Sequence, residues 1–335
     1  MRSTNSRFHV LLGVMALTFV ATASNATVIP PQFLFSWGSQ GNGNGQFQRP
    51  SGLALGSNGN LYVVQLFGQR VQVFDSSGSF VAKWGSFGNG SGQFGGDLHG
   101  IAVAPSGNVY VGDATSAEVE VFSSNGSFIR HWGAPGSGNG QFSYPTGLAI
   151  DGAGNVYVAD MLGHRVQKFD ADGNWLAELG STGSGDGQFL APYAIAIDPS
   201  GAIYVSDIDA SKRCVQKFSS DGSFLLKWGS SGTGDGQFSF PAGIGFDDTG
   251  DVYVTDQSDL TNRIQIFSSN GIFLAKWGST GSGPGQFNFP TGIALAPSGE
   301  VYIADTLNYR IQKFSAAVTP ALSKTWGRLK ADYRK

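Results

Sequence analysis

The stretch 140–179, GQFSYPTGLAIDGAGNVYVADMLGHRVQKFDADGNWLAEL, decides the fold. It holds four short apolar segments separated by polar breaks. Gly147–Ile150 is small and apolar, Asn155–Asp160 alternates around Val156, Tyr157 and Val158, Arg165–Phe169 alternates again, and Trp175–Leu179 is the last. Segments of about four to six residues between Gly-, Asn- and Asp-rich turns are the pattern of an antiparallel sheet. No part of the chain sustains a 3.6-residue period, so almost no helix is predicted.

The pattern occurs six times. Gly-Gln-Phe stands at Gly45-Gln46-Phe47 and starts again at Gly92, Gly140, Gly187, Gly236 and Gly285, at steps of 47, 48, 47, 49 and 49 residues. Nine residues before each glutamine lies Trp37, Trp84, Trp132, Trp228 or Trp277, with Leu179 in the remaining copy. Copies four and five gain two residues between Asp207 and Phe218 and between Asp256 and Phe267, and copy two gains one between Gln93 and Asp113. Insertions that leave the other spacings intact mark loops on a rigid frame. A four-stranded unit cannot bury its own faces, and units of this length stacked radially give a propeller. The sequence therefore predicts an all-β, six-bladed β-propeller with four-stranded antiparallel blades over residues 33–326. The innermost strands open with Gly52, Gly100, Gly147, Ala194, Gly243 and Gly292, small enough for backbones to crowd around an axis. Phe33–Trp37 has the fourth-strand pattern before any first strand, so it is expected to close the ring as an N-terminal outer strand. Leu322–Trp326 competes for that place. It follows Phe314 at a spacing of twelve residues instead of ten and lacks the usual Asp/Asn-Gly turn, which favours the N-terminal copy.

Outside the repeats, Arg2 and Arg7 precede an apolar run from Val10 to Val20 and small residues at Ala23 and Ala26. This reads as an export signal over 1–26, too short to span a bilayer, which takes roughly 20 apolar residues. A secreted or periplasmic chain with no membrane span after signal cleavage is expected, ending in a short basic tail at 327–335. Lys plus Arg is 21 against 24 Asp plus Glu, a net charge of -3. Such a balance argues against nucleic acid as a partner, because phosphate neutralisation needs clustered cations. The lone cysteine, Cys214, excludes an internal disulfide and cysteine-built metal clusters.

The repeat motif Pro-x-Gly-Ile/Leu-Ala, then Gly-x-Val-Tyr-Val-x-Asp, then Asn/His-x-Val/Ile-Gln-x-Phe resembles the NHL-repeat family. Its clearest copies are Pro145–Phe169 and Pro290–Phe314, with Asn308 and Arg310 matching the family's Asn-x-Arg and His164 directly before Arg165. The Arg position reads Arg70, Glu118, Arg165, Cys214, Arg263 and Arg310. The resemblance implies a propeller whose relatives include protein- and RNA-binding modules, sensor domains of bacterial kinases and peptidylglycine amidating lyases. Those lyases use several histidines for zinc. Beyond the predicted signal this chain has only His99, His131 and His164. No cofactor and no metal ligand set is therefore expected.

Strand order places the fourth-to-first and second-to-third connections on one face of the ring. At the ends of the second strands Gln65, Asp113, Asp160, Asp207, Asp256 and Asp305 form a polar ring expected at the channel mouth, or else one that caps each blade's own loop N–H groups. The loops that follow carry Leu66 and Phe67, Met161 and Leu162, and Leu307 and Tyr309. With His99 at the border, these are the candidate binding residues, since contiguous apolar surface and aromatic residues mark contact sites. The sequence favours a binding or scaffold module for a protein, a peptide or a glycan over an enzyme. The alternative is a metal-assisted lyase or hydrolase related to the propeller amidating lyases. No catalytic residue is singled out.

Overall fold

The computed structural model describes residues 28–318. The predicted signal, the competing strand Leu322–Trp326 and the basic tail lie outside the described residues. Six four-stranded antiparallel sheets make up the chain. Strands follow chain order from the axis outward, as in blade three, where Pro145–Ile150 is innermost, followed by Val156–Asp160, Arg165–Phe169 and Trp175–Leu179. Blade six takes its first three strands, Pro290–Leu295, Val301–Asp305 and Arg310–Phe314, from the end of the repeat region, and its fourth, Phe33–Trp37, from the beginning. Phe33 pairs with Phe314 and Trp37 with Ile311. Ile29 and Val318 continue the closure with reciprocal backbone hydrogen bonds of 2.8 and 3.0 Å. The ring is thus closed by its N-terminal strand. Among the described residues the helix content is one three-residue turn, Thr306–Asn308. Among the described residues, no helix is long and apolar enough to cross a membrane.

The small residue of each first strand marks the tightest packing. A Cβ on Gly52 would lie 2.4 Å from the His99 carbonyl oxygen, and one on Gly292 would lie 2.1 Å from that of Ser51. Gly100, Gly147 and Gly243 meet the carbonyls of Thr146, Tyr193 and Thr291 at 2.2, 2.5 and 2.4 Å in the same way. Any side chain there would collide with backbone, which cannot swing aside. The Gly292–Ser51 contact joins the last blade to the first. In every first strand the register shifts just after the opening residue, for example between Pro145 and Leu148. A bulge of this kind re-aims the side chain it carries.

The apolar core lies between blades. Tyr110, Val119 and Val121 of blade two pack with Phe142, Val156 and Phe169 of blade three. Phe47, Leu53 and Phe74 of blade one pack with Tyr302 and Ile311 of blade six. The tryptophans bridge the same gaps: Trp132 stands 6.0 Å from Tyr110 and 5.7 Å from Phe169, measured between ring centroids.

Each fourth-to-first loop is locked onto its blade by the Gly-Gln-Phe triplet. In blade three the Gln141 side chain accepts from the Gly138 amide at 2.9 Å, and Phe142 is fully buried against Phe169. Phe142→Ala is expected to cost about 3–5 kcal/mol of unfolding free energy in urea. Phe87, 73% exposed in the blade-two loop, should tolerate Ala within about 0.5 kcal/mol. Equal losses for the two would contradict this assignment of the core.

Candidate functional site

The channel mouth is shaped by the residue that follows the first position of each inner strand. Four of the six blades carry a small side chain there, Ser51, Thr146, Ala242 or Thr291. Blades two and four carry His99 and Tyr193 instead. The bulge turns both rings toward the axis, where they line a small cavity of about 80 Å³ that opens to solvent. Tyr193 is steadied from behind by Phe240, edge to face at 5.2 Å.

His99 is hydrogen-bonded at both ring nitrogens. Tyr193 Oη lies 2.9 Å from Nδ1, and Tyr144 Oη lies 3.2 Å from Nε2. Tyr144 in turn donates to Asp97 Oδ2 at 3.1 Å. That last bond fixes the direction of the others. With its proton on Asp97, Tyr144 must accept from His99 Nε2–H, which leaves Nδ1 to accept from Tyr193. Burial lowers the His99 pKa to about 4, opposed by the negative charge of Asp97. Burial also raises Tyr144 to about 12 and raises Tyr193 further, with the Asp97 charge adding to both. At neutral pH the site holds a neutral imidazole between two neutral phenols, with one carboxylate at the end of the row.

Asp97 owes its place to the single extra residue of blade two. Where blade three runs Phe142-Ser143-Tyr144-Pro145, blade two runs Phe94-Gly95-Gly96-Asp97-Leu98. The inserted loop holds Asp97 at φ 23°, in a region that costs a non-glycine residue energy.

The other predicted residues are placed differently. Gln65, Asp113, Asp160, Asp207, Asp256 and Asp305 are all fully buried and face their own blade's loop, not the channel. Asp160, for example, accepts from the Ser143 and Tyr144 amides at 2.9 and 2.8 Å, and Gln65 accepts from Gln48 at 2.7 Å. The five carboxylates and the Gln65 amide are needed to hold the loops, so they are not available as a ring of open ligands.

Phe67 and Leu162 are exposed on the loop face, while Leu66, Met161, Leu307 and Tyr309 are half-buried. Phe67 packs under the Arg49 guanidinium at 4.8 Å. Of the seven candidate binding residues, only His99 enters the hydrogen-bonded row. Tyr309 and His164 share a backbone role, both left-handed at φ 56° and 55° just before the Arg position. His164 therefore matches Tyr309 and not Asn308 as the sequence spacing suggested, and its Nδ1 lies 2.6 Å from the Leu190 carbonyl. His131 pairs with Glu118 on the outer strand at 2.9 Å. The Arg position of blade four is filled by Lys212, reaching across the longer loop to the Gly183 and Gly185 carbonyls, so Cys214 is not its replacement. Burial, helped by the Asp207 charge, raises the Cys214 thiol to about 12.

Zinc does not fit this site. Both nitrogens of His99 are taken by phenols, the other two histidines have their own partners, and no three His, Cys, Asp or Glu converge on a point among the described residues.

Sequence reasoning missed Asp97, Tyr144 and Tyr193. The usable signal was the variable residue of the Pro-x-Gly motif: a histidine and a tyrosine stand where the other blades have Ser, Thr or Ala.

The structure defines a six-bladed β-propeller, and comparison with known proteins agrees. Residues 287–314 match the NHL repeat, and residues 96–173 match a family described as a 6-bladed beta-propeller. No curated protein matches the sequence. Among solved structures, a structural genomics protein of unknown function from Bacteroides thetaiotaomicron is similar at a TM-score of 0.64 and 19% identity, over 88% of this chain and 76% of that one. A streptogramin B lyase is similar at a TM-score of 0.58 and 14% identity, over 88% of this chain and 99% of that one. A gluconolactonase from Xanthomonas campestris is similar at 0.59 and 15%, again over 88% and 99%. These neighbours overturn the expectation that a chain of this fold is a binding module more readily than an enzyme: lyases and a lactonase are built on the same ring.

His99 gives a pH signature. Its folded pKa lies below the ordinary value of 6.5, so the unfolded chain binds the proton more tightly. The stability this group contributes is complete above about pH 6.5 and is lost as pH falls toward about 4. Thermal melting of the parent chain should drop through that window, and His99→Gln should flatten the drop. Parallel pH profiles for the two proteins would contradict the neutral, buried imidazole.

Proposed function

We propose that this chain is a lyase or hydrolase working at the mouth of the propeller channel, with Tyr193, His99, Tyr144 and Asp97 as its proton-handling row. The observation that carries this reading is the continuous path of hydrogen bonds from the cavity to Asp97. A water or substrate group that loses a proton to Tyr193 Oη lets the Tyr193 proton pass to His99 Nδ1. The Nε2 proton then passes to Tyr144, and the Tyr144 proton passes to Asp97 Oδ2. One proton enters at the channel and one is held by the carboxylate, so no free imidazolium need accumulate. The nucleophile or carbanion left behind would open an ester or lactone, or expel a leaving oxygen. A positioned general base of this kind typically contributes about 10²–10⁴ in rate.

The surrounding loop face supplies the hold on the rest of the substrate. Phe67 and Leu162 are exposed there, and we assign to this face, with Leu66, Met161, Leu307 and Tyr309, the contact with a peptide- or glycan-derived substrate. A nucleic acid is not proposed, because the chain carries no excess of positive charge. The export signal read from residues 1–26 supports action outside the cytoplasm.

The test is turnover of a panel of lactones, esters and substrates that eliminate an oxygen leaving group. Tyr193→Phe and His99→Gln are expected to lower kcat by about 100-fold or more with the fold retained. Phe67→Ala should act mainly on KM. Turnover of nothing in the panel, or wild-type rates in Tyr193→Phe, would overturn the reading.

A further inference from the structure

In five blades a cation from the chain itself fills the fourth-to-first loop. In blade three Arg165 Nη2 donates to the Gly138 and Gln141 carbonyls at 2.9 Å each. Arg263 and Arg310 repeat this in blades five and six, Arg70 serves blade one, and Lys212 serves blade four. A glutamine on the third strand completes the lock. Gln167 accepts from the Gly140 amide at 3.0 Å and donates Nε2–H to the Gln141 carbonyl at 2.7 Å. The last carbonyl of the loop thus receives both a cation and an amide.

Blade two has neither donor. Glu118 stands at the Arg position and Glu120 at the Gln position, in the same register: Val111 faces Glu120 as Val158 faces Gln167. Glu120 is only 3% exposed, and the Gly92 amide bonds it as Gly140 bonds Gln167. Its Oε2 takes the place of the glutamine Nε2 and has no hydrogen-bond partner. By register this buried oxygen belongs on the side of the Gln93 carbonyl, the counterpart of Gln141, to which no Arg, Lys or Gln side chain donates among the described residues. Asp113, the nearest carboxylate on the second strand, is occupied by the Gly95, Thr115 and Ser116 amides. On the fourth strand His131 pairs with Glu118. Blade two thus has an unpartnered buried carboxylate oxygen and a second acidic side chain where every other blade has positive charge.

We propose that blade two binds a divalent cation of the calcium type between Glu120 Oε2 and the main-chain carbonyl of Gln93, standing where the guanidinium stands in the other blades. The Gly90 carbonyl, the counterpart of Gly138, and the Glu118 carboxylate are the further protein donors, and water fills the rest. An all-oxygen set of carbonyls and carboxylates suits this hard ion. It needs no convergence of three acidic side chains, since half of its protein donors are backbone. This site is independent of the row at the channel mouth.

The test is calorimetric titration of the full chain with CaCl2 at about pH 9, since burial, with the charges of Asp113 and Glu118, raises the Glu120 pKa to about 8, with melting curves in CaCl2 and in EGTA. One equivalent should bind with a Kd of about 10⁻⁴–10⁻³ M, in the range of extracellular sites, and saturation should raise Tm by about 5 °C. The E118R/E120Q variant restores the arrangement of the other blades. It should bind no calcium and should melt in EGTA no lower than the calcium-loaded parent. E120Q alone provides the check should the double variant not fold. A parent chain indifferent to CaCl2, which would mean that a proton alone sits between the two oxygens, overturns the proposal. So does a calcium response that survives in the variants.

Discussion

The ring depends on backbone meeting backbone at its axis. In five of the six blades a carbonyl oxygen of the succeeding blade occupies the space in which a Cβ would stand on the axial glycine, from Gly52 against His99 round to Gly292 against Ser51. This contact fixes the spacing of the inner strands and needs the bulge that turns the preceding residue inward. In four blades that residue is small and buried, and the hydroxyls of Ser51, Thr146 and Thr291 donate to a carbonyl of the neighbouring blade; in blades two and four it becomes His99 and Tyr193. Ala194 of blade four, the one small residue with a side chain, directly follows Tyr193. The departure from the axial rule and the departure toward a functional side chain therefore fall at neighbouring positions.

A second layer of constraint lies in the loops. Phe142 and its equivalents pin each loop to the inter-blade core, while an Asp or Gln, a third-strand Gln and a cation satisfy the loop's backbone groups. These polar groups are buried, and a buried polar group left without a partner costs about 1–3 kcal/mol. That is why the full motif recurs in five of the six blades, and why its chemistry says little about catalysis. Blade four shows that the requirement is for charge in a place, not for a residue at a position: Lys212 arrives from a loop two residues longer and reaches the same carbonyls.

Most of the architecture was legible in the sequence because it is periodic. The Gly-Gln-Phe steps gave the blade count, the Trp spacing gave the fourth strands, and the out-of-place Phe33–Trp37 gave the closure. The site was much less legible. His99 could be named, but its partners Tyr144 and Tyr193 belong to blades three and four, and no local pattern shows that the rings converge on one axis. Asp97 was visible only as an extra residue in blade two. The apolar loop residues Phe67 and Tyr309 drew notice as conspicuous side chains, yet conspicuous residues in separate loops carry no information on distance. The carboxylates of the second strands left two readings open for the opposite reason, since a motif repeated once per blade looks like a shared site as readily as a local fastening.

The pairing of Phe33–Trp37 with Arg310–Phe314 also sets an order of events. A ribosome makes the outermost strand of the last blade before anything it will touch, and nearly 300 residues must follow before its partner exists. Through that interval the strand is a loose apolar ribbon, and the growing row of sheets ends in an uncovered edge. Contacts so remote along the polymer form slowly, so the final latch, more than any single blade, is the step a folding catalyst would have most reason to attend.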